Sequence, residues 1–161
     1  MIPKLNPRDA SDVLKNGGTA IYPTEGIYGL GCDPFNSKSV ENIFKAKGRS
    51  KNKSFIILGS DIKYFHNIID NTYFMDESLQ SESFTTWVVP SNENCPPWLK
   101  KNDTVAIRLT KHKTVKLLCD HMNAPIISTS ANLSNSQYDG DIKNIEKVFD
   151  KKVDCIVRGI L

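Results

Sequence analysis

The side chains best placed to do chemistry are clustered cations and clustered hydroxyls. Lys47-Gly48-Arg49-Ser50-Lys51-Asn52-Lys53 packs four cations into seven residues. Cations fixed between a helix end and a strand end converge on a polyanion such as a phosphate chain, because ligands of α/β sheets sit at those edges. Left unpositioned, the same residues are a solvated basic turn. A second stretch, Ser128-Thr129-Ser130-Ala131-Asn132-Leu133-Ser134, is made almost wholly of small or polar residues. Its hydroxyls and amide either hydrogen-bond phosphate oxygens or a nucleotide, or close an Asx or Ser/Thr turn that caps the next helix. Arg108 stands inside the apolar run Val105–Leu109, where a guanidinium needs a partner, so it is a candidate anion ligand. Pro23-Thr24-Glu25-Gly26, followed by Tyr28-Gly29-Leu30-Gly31, is either a polar loop or a turn whose glycines let backbone approach a ligand closely. His66, alone on a helical face, is a packing or surface residue.

These groups need elements to hold them. Val40, Ile43, Phe44 and Lys47 recur at i, i+3, i+4 and i+7, so an amphipathic helix leads into the basic cluster and Gly48 ends it; Phe55-Ile56-Ile57-Leu58 then reads as a buried strand. Asn6 before Pro7 starts a first helix with Ala10, Val13 and Leu14 inside, and Gly17-Gly18 stops it. Thr19-Ala20-Ile21-Tyr22 is a strand ending at Pro23. Asp61 caps a helix carrying Ile62, Phe65 and Ile69, and a second short piece runs from Met75 to Leu79. Thr86–Pro90 and Val105–Leu109 are strands, Cys95-Pro96-Pro97-Trp98 is a rigid loop, and Val115, Leu117, Leu118 and Met122 mark another helix. Pro125-Ile126-Ile127 opens a strand from whose carboxyl end the Ser128–Ser134 run departs. Asp141 to Phe149 is a last helix and Val153 to Val157 a last strand.

Composition narrows the class. With 161 residues, 39% hydrophobic, the chain is long enough for one domain with a substantial core, and no run approaches the ~20 apolar residues of a membrane-spanning helix. The N-terminus has no apolar stretch before a small-residue cleavage site, so a cytoplasmic protein is expected. Cys32, Cys95, Cys119 and Cys155 form no C-x-x-C pair and read as reduced structural thiols; no metal ligand set is expected. A net charge of +3 favours anionic substrates or RNA contact. Helices alternating with β-prone runs point to one α/β domain over residues 1–161 with a mixed sheet.

Taken in order, Pro23-Thr24-Glu25-Gly26-Ile27-Tyr28-Gly29-Leu30-Gly31-Cys32-Asp33, then Lys47-x-Arg49-x-x-x-Lys53, then Arg108 and Ser128–Ser134 resemble the YrdC-like family, the L-threonylcarbamoyladenylate synthases of tRNA modification. The resemblance implies an open, twisted α/β mixed sheet with flanking helices around a positively charged cavity. It implies L-threonine, bicarbonate and ATP as substrates, threonylcarbamoyl-AMP and pyrophosphate as products, and Mg2+ carried mainly by the ATP phosphates. tRNA would be served indirectly, through downstream transfer enzymes, with direct RNA contact a further expectation. An RNA-binding accessory domain and the carbamoyl-transfer domain of hydrogenase maturation are the other classes that such a cavity suits.

Carried over by residue, the resemblance makes Lys47 and Arg49 catalytic. It makes Lys47, Arg49, Lys53, Thr86, Arg108, Ser130 and Asn132 ATP-binding, and Thr24, Tyr28 and Ser130 threonine-binding. Four departures stand out. Ser83-Phe84-Thr85 replaces the family's Pro-Gly-Pro before Thr86, Gly26 stands where a small hydroxyl or alanine is common, and Asn135 replaces a glycine. After Val157 the family continues with a Gly-rich, Ser/Thr-containing segment, against Arg158-Gly159-Ile160-Leu161 here. The expectation from that difference is a shallow, water-open pocket with weaker ATP binding.

Overall fold

The alternation of buried residues along the strands decides which side chains face the site. In the computed structural model, which describes residues 1–75, 77–81 and 84–161, one eight-stranded mixed sheet is formed among the described residues. Its strands are β1 (Lys4–Leu5), β2 (Thr19–Pro23), β3 (Tyr28–Cys32), β4 (Ile56–Gly59), β5 (Trp87–Pro90), β6 (Thr104–Leu109), β7 (Ile126–Ser130) and β8 (Cys155–Val157). They lie in the order β1-β8-β2-β3-β7-β4-β6-β5, parallel at β1/β8, β8/β2 and β4/β6 and antiparallel at the other junctions. The flanking helices are α1 (Pro7–Lys15), α2 (Ser37–Lys47), α3 (Glu77–Ser81), α4 (Lys113–Met122) and α5 (Ile142–Phe149). Helix ends follow the caps: Asn6 and Asn36 accept from the N–H groups of Asp9 and Ser39, and Gly48 closes α2 in the left-handed region at φ 59°.

Cross-strand partners share a face. Ile107 pairs with Ile57 and Ile57 with Ile127, and all three are buried in the larger core with Val40, Ile43 and Phe44 of α2 and Ile145 and Phe149 of α5. The opposite face carries Ala20, Tyr22, Leu58 and Ile126 under α1 and α4, which supply Ala10, Leu14, Val115, Leu118 and Met122. That cover stops short on β5, β6 and β4. The row Val88, Ala106, Ile56 and Ser128 on this face is only partly shielded, Val88 being 69% exposed. One face of the sheet is therefore closed by core, and the other is half open.

Several local expectations are revised. The Asp61-capped segment is a single 3-10 turn, Ile62–Phe65, because Ile68 and Ile69 both donate to Phe65 O and Ile69 then bridges to Ser91 instead of continuing a helix. The Met75–Leu79 piece divides into a 3-10 turn, Asn71–Met75, and α3, with Asp76 between them outside the described residues. Ser128 to Ser130 belong to β7 itself instead of leaving its end, so these three residues alternate between faces.

Of the departure before β5, Ser83 lies outside the described residues, while Phe84 adopts φ 71° and is 62% exposed. A bulky residue in the left-handed region is strained, and an exposed ring recovers little by burial. Phe84→Gly is accordingly expected to raise stability by about 0.5–1 kcal/mol, a Tm gain of about 1–4 °C by differential scanning calorimetry. A lowered Tm would mean that the ring, not the backbone, decides this turn.

Candidate active site

At the end of α2, Lys47 is 98% shielded and turns inward (2% exposed). Its Nζ donates to Ser130 O and, at 2.5 Å, to Asn132 O, while its own carbonyl accepts from Ser134 N–H at 2.9 Å. Burial, helped by the like charges of Arg49 and Lys53, pulls the ammonium down to about 8. The two carbonyls act against that pull by favouring the charged form. Gly48 then reverses the chain. Arg49 lies 5.1 Å over the Phe55 ring, donates through Nη2 to Ser54 O at 2.7 Å and through Nη1 to Thr129 Oγ1 at 3.3 Å, and so ties the start of β4 to β7. Burial lowers its pKa, and its Nε is shielded from water without an acceptor among the described residues. Lys51 and Lys53 are exposed in the same turn.

The β7 end supplies the facing groups. Ser130 Oγ donates to Asn132 Oδ1 at 2.6 Å, Asn132 Nδ2 donates to Ser136 O at 2.6 Å, and Asn132 N–H returns to Ser130 O at 2.9 Å. Asn135 takes φ 65°, the backbone the family's glycine would take. β3 closes the other side: Gly29 pairs with Ser130, Ala131 N–H donates to Tyr28 O at 2.9 Å, and Tyr28 N–H donates to Tyr138 Oη at 2.7 Å. Thr24 directs both its N–H and its hydroxyl to Ile27 O, at 3.0 and 2.7 Å, which locks the turn after β2. Thr110 Oγ1 donates to Glu25 Oε1 and fastens that turn to the segment after β6.

Arg108 belongs to the half-open face. Its Nε and Nη2 donate to the single hydroxyl of Thr86, at 2.9 and 2.7 Å. Among the described residues its charge thus meets a neutral acceptor, a hydroxyl that leaves other guanidinium N–H groups to an anion. Ser128 shares this face two strands away, about 10 Å across the sheet. Lys47, Arg49, Ser130 and Asn132 are brought together through β7 and its loop, with Lys53 on the same turn as Arg49 and Tyr28 alongside on β3, while Thr24 lies in the turn before β3. Arg108 and Thr86 form a second pair, beyond β4. Sequence reasoning named the Ser128–Ser134 run and the Pro23–Gly26 turn without giving Ser128, Thr129 or Glu25 a role of its own, and it missed Thr110 and Tyr138. The alternation within Ile126–Ser130 is the signal that would have separated Ser128 from Thr129.

The donor set is cations, hydroxyls and amides. Among the described residues no group of three or more His, Cys, Asp or Glu is poised for a metal, and no helix is long and apolar enough to cross a membrane. Such a site can hold an extended anion with its charge distributed over several oxygens.

Comparison with known proteins fits that geometry. Residues 12–160 match the Sua5/YciO/YrdC family, described as telomere recombination. A threonylcarbamoyl-AMP synthase of Coxiella burnetii is 37% identical over 160 residues, 95% of this chain and 84% of the relative. The crystal structure of P. abyssi Sua5 complexed with L-threonine superposes with TM-score 0.87 at 26% identity over 99% of this chain, which spans about half (50%) of that protein. E. coli YciO shares the fold, with TM-score 0.82 at 21% identity, over 99% of this chain and 84% of YciO.

Proposed function

This chain belongs to the Sua5/YciO/YrdC family, and we propose on that premise that it is a threonylcarbamoyl-AMP synthase, a nucleotidyltransferase acting on ATP and threonine. The observation that carries the reading is the convergence of Arg49 and the Lys53 turn with the Ser130–Asn132 loop at one strand end, beside the half-open face bearing Arg108.

Bicarbonate is the proposed carbon source. Threonine's free amine attacks the bicarbonate carbon and water is lost, giving an N-carboxylate. One oxygen of that carboxylate attacks the α-phosphorus of ATP in line, and pyrophosphate leaves with the electrons of the broken P–O bond. The step needs two anions brought together and the growing charge on phosphorus offset, which positioned cations do without a strong protein base. Arg49 and Lys53 are assigned to the triphosphate, Arg108 with Thr86 to the anionic centre on the open face, and Ser130 and Asn132 to the nucleotide. Thr24 and Tyr28 are assigned to the amino-acid pocket. Mg2+ would neutralise phosphate charge, and a donor set of hydroxyls, amides and cations suits a metal brought in on ATP oxygens. tRNA is proposed as the final acceptor through other enzymes, in a cytoplasmic setting that the four free, buried cysteines suit.

Purified protein is expected to release pyrophosphate from ATP only when threonine and bicarbonate are both supplied. A coupled phosphate assay with each component omitted in turn measures this. Equal release without threonine would leave a nonspecific ATPase and remove the proposal.

A further inference from the structure

We infer that Lys47 is a positioning residue that clamps the Ser130–Ser134 loop by its backbone, and is not itself a ligand of the triphosphate. The inference deepens the proposed function and rests on it for the identity of the nucleotide, though the clamp itself is a property of the protein alone.

Three contacts made by one residue carry it. Lys47 Nζ holds the carbonyls of Ser130 and Asn132, and Lys47 O holds the N–H of Ser134, so the loop is gripped at its start, middle and end by the last residue of α2. The side chain is buried, whereas Lys51 and Lys53 of the same cluster lie exposed. A phosphate ligand presents its ammonium to the cavity; this one faces the inner side of a turn. The arrangement also answers an electrostatic difficulty. Carbonyl oxygens pointing into an anion site repel the anion, and an ammonium behind the loop draws two of them away from it. What the loop then offers outward is its side chains, with the Ser130 hydroxyl and the Asn132 amide fixed to each other at 2.6 Å. A basic residue that the family resemblance places among phosphate ligands thus acts through the orientation of its neighbours. Arg49, two residues later, has one N–H held by Ser54 O at 2.7 Å and one loosely by Thr129 Oγ1 at 3.3 Å, which among the described residues leaves guanidinium donors for the ligand itself.

Lys47→Met tests this, since methionine keeps length and apolar volume while removing charge and donors. Amide hydrogen exchange in the ligand-free protein should quicken about tenfold or more at Asn132 and Ser134 and stay unchanged at Gly31 in the core. Titration calorimetry should find the affinities for AMP and ATP lowered by the same factor, whereas Arg49→Ala should weaken ATP more than AMP. Adding Asn132→Ala to Lys47→Met should cost little beyond the single change, as two members of one unit do. In the unaltered protein, the Lys47 ammonium 15N resonance should keep its shift when ATP is added. ATP affinity falling well beyond AMP affinity, unchanged exchange at Ser134, or a large ATP-induced shift of the Lys47 signal would each overturn the clamp. The exchange and NMR readings stand even if pyrophosphate release proves independent of threonine, so failure of the clamp and failure of the functional proposal are distinguishable.

Discussion

Replacing Arg108 by alanine is expected to lower kcat/KM for threonine-dependent pyrophosphate release by about 10²–10³-fold, while Tm moves by no more than about 3 °C. The asymmetry follows from its partner. Arg108 sends two N–H groups to one neutral hydroxyl, that of Thr86, and its strand neighbours on that face, Leu58 and Ile126, pack beneath α4 without needing the guanidinium. Among the described residues its removal therefore leaves no buried opposite charge behind, the situation that makes loss of an ion-pair partner so destabilising. For a ligand the same geometry is favourable, because a half-buried cation held by a hydroxyl acts on an incoming anion at reduced dielectric. Arg108→Lys should recover little, since one ammonium cannot hold Thr86 and present a planar pair of donors together. Thr86→Val, which removes the acceptor and keeps the shape, should cost about tenfold, in the range of one hydrogen bond to a charged group. Steady-state kinetics beside thermal melts decide the matter. A rate for Arg108→Ala within threefold of the parent would take Arg108 out of the site.

Much of this arrangement was legible because short-range signals and long-range packing agree. Asn6 with Pro7, the Val40–Lys47 period and Gly48 mark α1 and α2 locally, and the structure starts α1 at Pro7 and ends α2 at Lys47. The cluster at Lys47–Lys53 was also legible as a place, since a basic turn between a helix and a strand sits where the strand ends. The period also puts Lys47 on the buried face of α2 with Val40, Ile43 and Phe44; what could not be read was its partner. The Ser130 and Asn132 carbonyls that satisfy its ammonium are over 80 residues away in sequence, and no local pattern encodes them. The Ile62–Ile69 spacing failed for a related reason: Ile69 is claimed by the Ser91 bridge, a tertiary contact that outweighs helical periodicity in a segment too short to sustain a helix by itself. Ser128 was hidden by composition. A run of hydroxyls reads as loop, although its first three members are strand, and only the Ile56 partner of Ser128 shows which face it joins.

Gly31→Ala should unfold much of what holds those groups in place, lowering stability by about 3–5 kcal/mol and Tm by roughly 10 °C. A methyl at Gly31 would lie 1.8 Å from Ile127 O and 2.7 Å from the Tyr22 hydroxyl. The first contact is with backbone and cannot be relieved by a rotamer change. Tyr22 is fully buried and its hydroxyl donates to that same carbonyl at 2.6 Å, so pushing β7 away also breaks a buried hydrogen bond and opens the core under α1 and α4. β7 cannot shift alone. It carries Ser128, Thr129 and Ser130, is paired to β3 at Leu30 and Gly29, and is held through Ser130 O by Lys47, so strain at Gly31 passes directly into the nucleotide loop. Activity should fall in Gly31→Ala even at temperatures where the protein remains folded. Gly26→Ala provides the control, because a methyl there meets nothing within 4 Å, and its Tm should stay within about 1 °C of the parent. Chemical denaturation of both variants, with the midpoint and slope compared to the parent, tests the argument. A Gly31→Ala midpoint as high as that of Gly26→Ala would mean that β3 and β7 do not need their close approach, and that the β7 side of the site is positioned by the Lys47 and Arg49 contacts alone.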